Sequence, residues 1–230
     1  ESMFDTMQQE YQDRLNLTPV ILENTVRAMG VNAHRFGPAK GIDDFLYVFL
    51  GSNTGSSIFI NGQPYFGSRG ISGEIGHVTI DDDGPWCRCG NRGCLEAMAG
   101  ENGIRCRVAE LQARGVRTAL AAETFTLSAL VEAVKRQDRV ALRLAADASS
   151  SIALALASVV TLLNPSLIVI SGELTGLGDV LLGAVRRTLS MHCFPEVVAR
   201  LSVRFSTLDD YAGGFGAALL ARNHSLMRLI

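Results

Sequence analysis

The chain carries almost no excess of charge. Its 21 lysines and arginines stand against 23 aspartates and glutamates, a formal net charge of −2 over 230 residues. Gripping DNA, RNA or an anionic membrane takes a concentrated basic patch, so these residues alone are not expected to bind any of them. No secretory leader is expected from these residues: the opening Glu1-Ser2-Met3-Phe4 has no basic region and no apolar run behind it. The longest apolar stretch, Ile152 to Leu163, is too short to span a bilayer. It follows Asp138, Arg139, Arg143 and Asp147, and so reads as a helix sinking into a core. Internal repeats and low-complexity segments are absent. Cysteines number five, too few and too clustered for a disulfide framework, which fits a reducing cytoplasm and a metal site. The remaining composition, 47% hydrophobic and 19% charged, is that of a globular protein with material for one large domain or two small ones.

What is present is concentrated between residues 73 and 96. Cys87, Cys89 and Cys94 lie in a turn rich in glycine (Gly84, Gly90, Gly93), and His77 precedes them within Gly73-Glu74-Ile75-Gly76-His77. Two thiolates at Cys-x-Cys spacing can bind one ion from a tight turn, and the third closes a short knuckle. Histidine completes the Cys3His tetrahedron of structural zinc. The bland alternative is three separately buried thiols, which a glycine-rich turn beside Trp86, Arg88 and Arg92 disfavours. Cys106 and Cys193 stand apart and read as inert core thiols.

Taken in order, Phe4, Met7, Tyr11 and Leu15 recur at helical spacing, predicting a helix over 4–15. The chain starts inside this pattern, as a fragment of something longer would. Pro19 to Leu22 reads as a buried strand, and Thr25 as the cap of a helix running from Val26 toward His34. Phe45 to Leu50 reads as a central strand and Ser56 to Ile60 as the next. Asn61-Gly62 signals a type I′ hairpin into a further strand toward Tyr65 and Phe66. A short strand is expected at His77–Ile80, then helices over 95–99, from Glu101 to about Val116, and from Phe125, a hydrophobic staple, to Arg136. Residues 138–163 form one long helix whose second half is apolar nearly all round, stopped at Asn164-Pro165. Leu167–Ile170 is a buried strand, 178–192 an amphipathic helix, Leu201–Phe205 an edge strand, and Ala212 opens a small-residue helix through Leu220. Hairpin strands followed by helix-strand-helix units predict an α/β domain with a mixed sheet.

Gly-Glu-Ile-Gly-His at 73–77, Cys-x-Cys-Gly-x-x-Gly-Cys-Leu-Glu at 87–96, Asn164-Pro165 and Ala212-Gly213-Gly214 together resemble the ROK family (repressors, open reading frames and sugar kinases), over roughly residues 15 to 222. The resemblance implies an actin-like, ribonuclease-H-like ATPase fold. On that reading residues 1–24 end the smaller lobe, 25–222 form the larger lobe with its zinc loop at 77–96, and 223–230 are a C-terminal tail like that of the repressor branch. The family's Asp-x-Gly-x-Thr phosphate hairpin and the winged helix-turn-helix of its repressors are not among these residues.

Glu74 lies three residues before His77 and Glu96 two after Cys94, so ligands of one ion would bring both carboxylates toward one point. His77 could bind zinc through one ring nitrogen and offer the other to a hydroxyl, making zinc a rigid support for a sugar pocket. The resemblance implies sugar contacts at Glu74, His77 and Glu96, with Asn24 beside them. The alternative is that both carboxylates are solvent-facing turn residues. Family kinases place a catalytic Asp directly after the Asn, where this chain has Thr25, and threonine is no base near neutral pH. Their Gly-Thr-Gly-x-Gly phosphate loop reads Gly51-Ser52-Asn53-Thr54-Gly55, with a Cβ at Asn53 where phosphate should approach. These departures argue against phosphoryl transfer and against ATP as a ligand, although Ser171-Gly172-Glu173 and Ala212-Gly213-Gly214 resemble the family's adenosine-side loops. Three readings remain: a sugar- or sugar-phosphate-sensing effector domain of a homodimeric repressor whose DNA-binding part lies elsewhere, an ATP-dependent sugar kinase, and a zinc-stabilised assembly module without a ligand.

Overall fold

The computed structural model describes the backbone of residues 3–15, 20–208 and 211–227, with side chains for 6–15, 20–208 and 211–222. Five strands form one mixed sheet in the order β3-β2-β1-β4-β5: β1 (Phe45–Leu50), β2 (Thr54–Ile60), β3 (Gln63–Pro64), β4 (Leu167–Ser171) and β5 (Ser202–Phe205). β2 runs antiparallel to β1 and β3, while β4 runs parallel to β1 and β5. The parallel half needs crossovers, and helices supply them. The antiparallel half is turned at Asn61-Gly62, both with positive φ (52° and 73°), which pairs Ile60 with Gln63 as the sequence predicts.

Strand period divides the core in two. Leu46, Val48, Leu50, Ile168 and Ile170 face the layer containing α3 (Leu95–Ala99), α4 (Glu101–Ala113), α5 (Leu127–Lys135), α6 (Arg139–Leu163) and α7 (Asp179–His192). Phe45, Tyr47, Leu167 and Val169 point the other way, toward α2 (Thr25–Phe36), against which α9 (Ala212–Met227) packs. Both faces of β4 are therefore covered, as its unbroken Leu-Ile-Val-Ile run requires. Helix α6 is long and apolar enough, by length and composition alone, to cross a bilayer, with a mean hydropathy of 1.6; half of that stretch is buried inside the protein. It is the core helix. Its last turn departs from the expected burial, since Leu162 is 81% exposed.

Several expectations need correcting. Val20–Leu22 forms no strand, Pro19 lying outside the described residues; the Leu22 N–H turns instead to Gln8 Oε1 of α1 (Met3–Arg14) at 3.4 Å. His77–Ile80 is not a strand either: Ile75–His77 is a 3-10 turn, and Thr79 makes only an isolated bridge to Cys94. Thr25 does not cap α2. Asn24 does, its Oδ1 accepting from the Val26 and Arg27 amides at 2.8 and 3.2 Å. The third strand stops before Tyr65, and a short helix, α8 (Pro195–Arg200), went unforeseen. Of the expected tail, 223–227 continue α9 and 228–230 lie outside the described residues.

Helix α6 begins where Asp138 gathers donors. Its carboxylate accepts from the Ala141 and Ala119 amides at 2.9 and 2.8 Å and from the Thr118 hydroxyl at 3.1 Å. Partial burial pushes this carboxyl up, but those hydrogen bonds outweigh it and hold it below its ordinary value of 3.8. A depressed carboxylate stabilises the fold above its unfolded pKa and loses that contribution as pH falls through the folded value. Asp138→Ala is expected to cost about 1 kcal/mol in urea unfolding at neutral pH. The gap between wild type and variant should shrink steadily as titration proceeds below the ordinary carboxylate pKa.

Candidate metal centre and ligand site

The metal loop begins at the 3-10 turn that presents His77 and ends at α3, whose preceding residue is Cys94. Between them the chain must double back tightly. Gly93 (φ +61°) makes this possible: a Cβ there would sit 1.5 Å from the Asp81 carbonyl oxygen, while its own carbonyl accepts from Ile80 N–H at 2.8 Å. Trp86 and Arg92 form a second isolated bridge, with the Arg92 guanidinium 5.3 Å from the indole centroid.

The result brings His77, Cys87, Cys89 and Cys94 together, with one ligand atom from each lying within 4.8 Å of the others. Cys89 and Cys94 Sγ are 3.6 Å apart, and His77 Nδ1 is 3.6 Å from Cys87 Sγ. A tetrahedral ion with bonds of about 2.3 Å to sulfur and about 2.0 to 2.1 Å to nitrogen sets those separations near 3.8 and 3.6 Å. The donor set and the spacing fit zinc. All three cysteines are free thiols, and burial together with the neighbouring sulfurs pushes Cys94 up to about 12. At exposed Cys89, hydrogen bonding from the Asn91 backbone heads the influences that lower its pKa. Thiols this close resist ionising together, and a divalent cation removes that resistance. His77 meets the sulfurs through Nδ1, leaving Nε2 for another partner.

Around this loop, Glu96 and the turn that carries Glu74 and His77 border the start of β2, while Asn24 stands at the head of α2. Glu96, on α3, is mostly buried; its Oε2 accepts from the Thr54 amide at 3.2 Å and its Oε1 pairs with Arg88 Nε at 2.8 Å. Glu74 is exposed, between Gly73 and Gly76, whose backbones press on β2 so closely that a Cβ would meet Ser56 O at 2.2 Å and Thr54 O at 2.3 Å. Gly55 approaches Val26, two residues past Asn24. Because Asn24 Oδ1 caps α2, only its amide NH2 remains for a ligand, so Asn24 is a donor and not an acceptor.

Two arginines complete the arrangement, and neither was assigned a role from the sequence. Arg88 stands between two metal ligands and orients Glu96. The alternation Cys87-Arg88-Cys89 was the available signal. Arg27 is 5% exposed and joins three segments: it pairs with Glu23 Oε1 at 2.5 Å, donates to Gly70 O at 2.8 Å and lies 4.5 Å from the Phe66 ring centroid. It thereby ties the cap of α2 to the loop that carries Glu74. Beyond Glu96 a cleft of about 190 Å³ runs along α4. Cys106, expected as a core thiol, is exposed in its wall, while Cys193 is half-buried.

A mixed sheet sandwiched by helices, with a Cys3His loop at one strand end whose side chains could hold a metal ion, defines an α/β domain with a candidate metal centre. The sequence model of the ROK family matches residues 5–224, and the chain belongs to that family. Its fold is the actin-like, ribonuclease-H-like ATPase fold. A glucokinase of Thermotoga maritima is 31% identical over 208 residues, 88% of this chain and 66% of its own length. The DNA-binding transcriptional dual regulator NagC of Escherichia coli K12 is 29% identical over 211 residues, 92% of this chain and 52% of its own. Among solved structures, a ROK family transcriptional regulator homologous to the E. coli MLC protein superposes with a TM-score of 0.84 at 27% identity, covering 94% of this chain and 55% of that one. A ROK family glucokinase from Streptomyces griseus, in complex with glucose and AMPPNP, gives 0.80 at 26%, covering 94% and 72%. The chain thus spans about half the length of the repressors it matches.

Replacing Cys94 by Ser is expected to abolish stoichiometric zinc, read by elemental analysis of dialysed protein. It should also lower the thermal midpoint by several degrees, whereas Cys106→Ser should change neither.

Proposed function

We propose that this chain is the sugar- or sugar-phosphate-sensing effector part of a ROK-type transcriptional repressor. The observation that carries this reading is Thr25, an exposed residue at the position where family kinases hold their catalytic Asp, beside intact Glu74, His77 and Glu96. A hydroxyl cannot take the proton of an attacking sugar oxygen near neutral pH, and loss of a general base costs about 10²- to 10⁴-fold in rate. Sugar recognition needs no such base. Glu74 and Glu96 accept from sugar hydroxyls, while the Asn24 amide and His77 Nε2 engage others. Zinc acts as a clamp that fixes His77 and, through Cys94, the first turn of α3 bearing Glu96.

Signalling follows from differential affinity. Residues 1–24 belong to the smaller lobe in this reading, and a ligand that prefers one lobe arrangement shifts the population toward it. DNA is reached through a separate domain outside these residues, consistent with their neutral charge balance. The protein acts in the cytoplasm as a homodimer or larger homo-oligomer, and ATP is not its ligand. Kinase activity is the second reading, favoured by the identity to glucokinases being as high as that to repressors.

Calorimetry of the complete protein against hexoses, N-acetylhexosamines and their phosphates should find one ligand class. Glu96→Gln should weaken it at least about tenfold, or 1.4 kcal/mol, with zinc content unchanged. Robust ATP turnover on the same panel would establish the kinase instead. A zinc-loaded protein that binds none of the panel would be an assembly module.

A further inference from the structure

A second cavity, of about 520 Å³, opens at the carboxyl ends of β1 and β4, the end of a parallel sheet where ligands collect. Met29, Tyr47, Phe49, Ser171 and Ser206 line it, together with Glu173. Tyr47 keeps its proton: burial raises its pKa, more than hydrogen bonds to Ser171 and Ser206 lower it. Among the described lining residues Glu173 is the one charged group.

Its placement is specific. Gly172 (φ +90°) lies against the Leu50 backbone, close enough that a Cβ would meet Leu50 O at 2.5 Å, and so fixes the turn beside the β1–β2 connection. Glu173 then opens the 3-10 turn Glu173–Leu177 with its carboxylate over that connection. A Cβ on Gly51 would stand 2.4 Å from Glu173 Oε2 and 2.6 Å from the Phe49 ring. The glycine's open side, which an incoming anion would need, is thus already filled by an anion and an aromatic edge.

We infer that Glu173 is a specificity-determining residue that closes this cavity to phosphoanions while leaving its aromatic and hydroxyl-lined interior open to uncharged ligands. The device is electrostatic: a polyphosphate brought to Gly51 meets a like charge with no described lining cation to offset it. It acts on a cavity apart from the sugar residues and rests on the reading above only in that ATP is not the ligand. Nucleotide affinity and sugar affinity are separate readouts, so either reading can fail alone.

The test is calorimetry of the complete wild-type protein, Glu173→Gln and Glu173→Ala with magnesium AMPPNP, and with adenosine as the uncharged reference. The glutamine variant keeps the shape and removes the charge. Because Glu173 is exposed, both variants should keep the wild-type thermal midpoint. AMPPNP should not saturate wild type in the millimolar range. Both variants should gain at least about tenfold in AMPPNP affinity, with adenosine unmoved. Tight AMPPNP binding by wild type would overturn the inference. So would variants that gain nothing, or an equal gain for adenosine, which would show a steric block and not a charged one.

Discussion

The stretch from Ile75 to Cys94 is held by loop hydrogen bonds, among them Ile80 N–H to Gly93 O and Cys87 N–H to Asn91 O, and by the convergence of four side chains. It contains one 3-10 turn and two isolated bridges, and few of its side chains reach the core. Hydrophobic burial does little for a loop of this kind, so a cross-link would add much to what its hydrogen bonds hold. An ion held by His77, Cys87, Cys89 and Cys94 would supply it, joining the turn that follows Glu74 to the helix that carries Glu96. Both carboxylates are far apart in sequence and are placed by the same knot. A sugar, whose hydroxyls must all be met at once, needs that kind of rigidity.

The β1–β2 hairpin divides two regions. On one side Thr54 takes the Glu96 carboxylate, and Gly73 and Gly76 press on β2. On the other, Gly51 faces Glu173 and the cavity behind it. The short connection between them, Gly51 to Asn53, is the segment in which this chain departs from the kinase phosphate loop. Asn53 and Glu173 thus lie around one hairpin.

Much of the fold was legible because strong local signals agreed with the tertiary outcome. The Asn61-Gly62 turn, the β-branched run of β4 and the stop at Asn164, which adopts φ 46°, needed no distant partner to be read. The metal site was legible for a related reason: residue chemistry at short spacing specifies an ion almost regardless of context. What failed had its explanation elsewhere in the chain. Val20–Leu22 is apolar like a strand, but a strand exists only against a neighbour, and the Leu22 amide bonds to α1 instead. The cap of α2 was missed by one residue because Asn24 and Thr25 are both good caps, and only geometry chooses between them. Arg27 could not be recognised as a buried tie, since its partners Glu23, Phe66 and Gly70 are assembled by the fold. Cys106 is helical as expected, but helical periodicity alone did not reveal that it faces out.

One consequence lies in how fully Glu96 is already engaged. Both of its oxygens have partners in this structure, one on a guanidinium set between two metal-binding cysteines and one on the hairpin amide. Those partners tie the helix that carries Glu96 to Arg88 on one side and to β2 on the other. An ionised carboxylate has about four lone-pair sites, so these partners fix Glu96 in one orientation and leave room for a further donor. The carboxylate is thus a junction between the cysteine loop and the sheet, through which a displacement of either reaches the first turn of α3.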